Sequence, residues 1–101
     1  MKYEETEFAA RDYFDALIEL RKELDLVGAR LLCAGARTDV FPSGMSRSMG
    51  GGRKAYILKM NKPAYELVDI FSPAESELIG TVTAQKEFYS KWIYSITGRR
   101  I

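Results

Sequence analysis

The sequence predicts an α+β domain: an N-terminal helix, a three- to four-stranded, mainly antiparallel sheet and a C-terminal helix, with the helices packed on one face. Three observations predict it. Apolar residues recur with the helical period over residues 7–26 and again over 83–96. Between these segments lie short runs rich in branched and aromatic residues, bounded by Gly, Pro, Asn and Ser. The length, 101 residues, suits a single domain spanning 1–101 and not two.

Residues 7–26 place Ala10, Phe14, Leu17, Ile18 and Leu24 on one helical face. Arg11, Asp12, Asp15, Glu19, Lys22 and Glu23 cover the other. Thr6 is the expected N-cap, and Gly28 the expected stop. Residues 29–36 are short and apolar and read as an interior strand, with Cys33 as a small buried hydrophobe.

Residues 54–60 form the expected second strand. Tyr56 and Leu58 lie on one face, Ala55 and Ile57 on the other. A turn at 61–63 leads to a third strand over 64–71, rich in Tyr65, Val68, Ile70 and Phe71. Residues 78–82 are a fourth candidate, broken by Gly80. Thr83 is the expected cap of the last helix, where Ala84, Phe88, Trp92 and Ile96 line one face and Tyr89 and Ile93 flank them. Gly98 ends it, with Arg99 and Arg100 near its negative pole. The expected core joins Leu17, Ile18, Leu31, Leu58, Ile70, Phe88 and Trp92.

Composition narrows the function. The chain has 15 basic and 14 acidic residues, a net charge of +1. That balance supplies no global field for nucleic acid or an anionic membrane. The polar N-terminus lacks a signal-peptide core, and no apolar run is long enough for a membrane span, so the expected location is cytoplasmic. A lone cysteine fits a reducing compartment. With no histidine, the commonest general base and metal ligand is missing. The expectation is a protein that is not an enzyme and needs no cofactor.

The stretch 33–56 holds five of the eight glycines, with Arg37, Arg47, Arg53 and Lys54. Residues 38–52 show neither structural period and read as a long irregular loop. Phosphate binding fits poorly, because the glycines run into a strand instead of opening a helix. Catalysis by Ser43, Ser46 or Ser48 lacks an activating base, and Arg47 with Asp39 reads equally well as an ion pair. Protein recognition remains, through Phe41, Met45, Arg47, Met49 and Arg53 as candidate partner contacts. Met45 and Met49 are four apart, so one helical turn would bring them together. The competing reading folds Phe41 and both methionines back over the end of the sheet. RNA binding through Tyr56 and Tyr65 is a separate possibility, but no RNP-like pattern supports it.

The stretch GARLLCAGARTDVFPSGMSRSMGGGRKAYIL, followed by VDIF and by TVTAQKEFYSKWIYSI, resembles the small bacterial immunity proteins of polymorphic-toxin and contact-dependent growth inhibition systems. The likeness covers roughly residues 28–96. It rests on PSGM, MGGG and KAY, and on the closing Thr81, Val82, Gln85, Phe88 and Trp92. It implies a cytoplasmic inhibitor that binds a cognate toxin domain, often a nuclease, without a cofactor. The family pattern assigns no contact residues, so the five candidates rest on this sequence alone. The near-neutral charge departs from the acidic inhibitors that pair with basic nucleases. The alternative function is a stand-alone protein-interaction or RNA-binding domain with a Gly/Arg-rich recognition loop.

Overall fold

A computed structural model describes residues 12–98. The order is helix α1 (Tyr13–Leu26), a 3-10 turn (Ala34–Ala36), strand β1 (Val40–Phe41), helix α2 (Gly44–Gly50), strands β2 (Lys54–Ile57) and β3 (Glu66–Asp69), a second 3-10 turn (Ser76–Leu78) and helix α3 (Val82–Thr97). The α+β class and the flanking helices are as expected. Among the described residues, no helix is long and apolar enough to cross a membrane.

The sheet runs β1-β2-β3, antiparallel throughout. Val40 pairs with Ile57, and Ala55 with Val68. Strand alternation puts these four side chains on one face. That face meets Phe14, Leu17 and Ile18 of α1, and with Ile70 they make the core. A second group forms where β1 meets α3. Phe41 stacks on Tyr89 at 4.1 Å between ring centroids, and Tyr89 stacks on Trp92. Trp92 donates from Nε1 to the Lys62 carbonyl at 2.9 Å. Leu58 is buried, whereas Leu31 and Phe88 are only half-buried, so the seven expected core residues do not form one cluster.

Several boundaries differ from the sequence reading. The N-cap of α1 is Asp12, whose side chain accepts from the Asp15 amide at 2.8 Å. The expected cap Thr6, with Ala10, Arg11, Arg99 and Arg100, lies outside the described residues. Residues 29–36 are not a strand. Ala34 and Gly35 donate to the Ser72 and Ile70 carbonyls, but only one bridge forms, Cys33 to Pro73. Proline supplies no ladder donor, and the chain turns at Ala34–Ala36 instead.

The fourth strand is likewise a single bridge, Arg37 to Ile79. It stops because Thr81, not Thr83, caps α3, accepting from the Ala84 amide at 3.0 Å. Residues 38–52 are not irregular: they hold β1 and α2.

Candidate protein-binding surface

Helix α2 is short, so its own hydrogen bonds cannot hold it in water and its neighbours must. Ser43 caps it, accepting from the Ser46 amide at 3.0 Å. Its other end closes on Gly51 and Gly52, with φ of +67° and +75°. Only glycine takes this pair of left-handed turns without strain. Gly52 is also packed so closely that a Cβ there would lie 3.1 Å from Phe14 Cβ. The MGGG run is therefore a helix stop and a reversal into β2.

The inner side of α2 is locked. Arg47 forks onto Asp12, with Nε to Oδ2 at 2.8 Å and an Nη to Oδ1 at 3.1 Å. Its guanidinium also lies 5.5 Å from the centre of the Phe14 ring. Asp12 thus caps one helix and anchors another. The Ser46 hydroxyl donates to the Lys54 carbonyl, and the Tyr13 amide donates to Gly51 at 2.7 Å.

The outer side is open. Met45 and Met49 are 71% and 79% exposed, on adjacent turns of one stripe. They do not fold back as extra core. Beside the helix end, the Tyr13 ring lies against Gly51 and meets Phe71 edge-on at 6.4 Å. Arg53 sits 5.4 Å above the Phe71 ring and pairs with Asp69 at 3.2 Å. Tyr13 and Phe71 are each about half exposed.

Of the five candidate contacts, Met45, Met49 and Arg53 therefore present accessible surface. Phe41 is engaged by Phe14 and Tyr89, and Arg47 by Asp12. The ion pair considered between Arg47 and Asp39 does not form. Arg37 holds Asp39 through two 2.8 Å bonds, which raise the pKa of its guanidinium. Sequence reasoning missed Tyr13 and Phe71, which are far apart in the chain. Their exposure depends on how α1 and the end of β3 meet.

The far face of the sheet is sparsely covered. Tyr65 is largely exposed and Leu67 half exposed, whereas Tyr56 is half-buried. Among the described residues, no group of three or more Cys, Asp and Glu side chains is arranged to hold a metal ion. Neither a protein-family model nor a curated protein matches the chain.

Proposed function

We propose that the protein is a non-catalytic, cytoplasmic immunity protein that binds and neutralises a cognate toxin domain, with α2 at the centre of its binding surface. The resemblance of residues 28–96 motivates the first half. The observation that supports the second is a pair of exposed methionines on a helix fixed from beneath by Arg47, Asp12 and Ser46. A rigid support reduces the ordering cost of binding, while methionine adapts to the opposing surface. Tyr13, Phe71 and Arg53 extend the surface with residue types enriched at interfaces.

The test is calorimetric titration against the toxin domain encoded beside this protein, with growth rescue of cells expressing that domain. Burying a methionine side chain contributes roughly 1.5–3 kcal/mol. Met45→Ala with Met49→Ala should then weaken binding by about 2 kcal/mol or more, while thermal melts stay near wild type. Unchanged affinity would remove α2 from the interface. Failure of the wild type to bind the domain or to rescue growth would reject immunity.

A further inference from the structure

A second feature lies at the other end of α1, nine residues beyond Asp12 and so about 14 Å along the helix. There a cavity of about 340 Å³ opens between the C-terminal half of α1 and the start of α3. Arg21, Lys22, Arg30 and Lys86 line it, opposed by one carboxylate, Asp25. The lining thus carries four cationic side chains against one carboxylate, with Lys22 also paired to Glu19 at 3.6 Å.

Arg21 makes the cavity more than a basic patch, because its side chain is only 7% exposed. One terminal nitrogen donates to Gly35 O at 3.3 Å and Gln85 Oε1 at 2.7 Å. The other donates to Ala36 O at 3.5 Å and Gly80 O at 3.0 Å. All four acceptors are neutral. Among the described residues no carboxylate lies within ion-pair distance of this guanidinium, and burial lowers its pKa from the ordinary arginine value. The Nε–H takes part in none of these bonds. Asp25, one turn on, is its only carboxylate counter-charge among the described residues and lies beyond ion-pair distance; a buried cation so weakly compensated is costly, and an anion beside it offsets that cost.

The wall also includes Val82 and Thr83, in the first turn of α3. Their amides have no partner within the helix, and the helix dipole favours negative charge there. Leu31 and Ile79 add apolar wall. The volume is at the small end of organic-ligand sites.

We infer that this cavity binds a phosphate dianion, either free or as the monoester of a small molecule, between Arg21, Arg30, Lys86 and the first turn of α3. The inference is independent of toxin binding, which uses the opposite end of α1.

The experiment titrates the full chain with inorganic phosphate and with AMP at constant ionic strength, read by amide chemical shifts and calorimetry. The expected result is saturable binding with shifts centred on Arg30, Thr83 and Lys86. Tighter AMP binding identifies a phosphate ester, and preference for phosphate a free ion. Arg30→Ala with Lys86→Ala should weaken binding roughly tenfold or more, since each removes a charge-assisted contact. These side chains are exposed, so the fold should survive. Lys59→Ala with Lys91→Ala removes the same charge elsewhere and should leave affinity unchanged. No saturation by either probe, shifts centred away from the cavity, or equal weakening in both double variants would overturn the inference.

Discussion

Gln85→Leu tests whether the polar centre of the molecule holds its elements together. Gln85 is fully buried. Its amide nitrogen faces the carbonyls of Gly35, Arg37 and Val40 at 2.9, 2.8 and 2.8 Å, and its oxygen accepts from Arg21 at 2.7 Å. An amide has two N–H donors, so two full bonds are shared among the three carbonyls. Leucine has similar bulk and none of these bonds. Two neutral bonds contribute about 1 kcal/mol each, and the bond to a charged donor about 1.5–3 kcal/mol. The expected loss is therefore about 3–5 kcal/mol, a large share of the 5–15 kcal/mol typical of a whole domain. Urea unfolding followed by circular dichroism measures it. Combining the change with Arg21→Met should give much less than the sum of the two single losses, because both disrupt one network. A loss below about 1 kcal/mol at unchanged m-value, or simple additivity, would refute the reasoning.

Two further outcomes follow from the packing and the charges. A Cβ at Gly80 would sit 2.0 Å from Thr38 Oγ1, so Gly80→Ala should cost about 1–3 kcal/mol in denaturant unfolding, and adding Thr38→Ala should restore most of it. Asp69 has its pKa lowered, chiefly by the Phe71 amide and further by Arg53. Its contribution to stability is full above the ordinary aspartate value and is lost as pH falls through the folded one. Melting temperatures of wild type and Asp69→Asn should then converge toward acid pH, and a constant gap would reject that role.

The long elements were legible because period alone defines them. Phe14, Leu17 and Ile18, and Trp92 on the last helix, are buried on the faces that their spacing marks. The end of α1 near Gly28 and the stop of α3 at Gly98 also agree with their glycines. Strands β2 and β3 lie within the runs expected at 54–60 and 64–71, but β1 and α2 were not legible. β1 has two residues, too few for an alternation to register. α2 has seven, four of them glycine or serine, and its Arg47–Asp12 fork spans 35 positions of sequence. Its two methionines were nevertheless readable as a pair, since a single helical turn was enough to bring them together.

The strand expected at 29–36 failed for a reason that was present in the sequence in another form. Arg21 follows Leu17 by four and Ile18 by three, so it falls on the buried face of α1. Gln85 precedes Tyr89 by four and Trp92 by seven, so it falls on the inward face of α3. Two polar residues on apolar stripes must find partners inside. The partners are the carbonyls of Gly35, Ala36, Arg37, Val40 and Gly80. Most of these carbonyls turn toward a guanidinium and an amide instead of along a ladder, Gly35 O serving both side chains, while Ala36 O also accepts from the Gly80 amide at 3.1 Å. The small residues follow from the same arrangement: a Cβ on Gly35 would lie 2.4 Å from Leu17 Cδ2 and 2.8 Å from Ile70 Cβ. The run Ala34–Ala36 therefore marks close approach of the chain to α1, where side chains of α1 and α3 replace the sheet ladder as the source of hydrogen bonds.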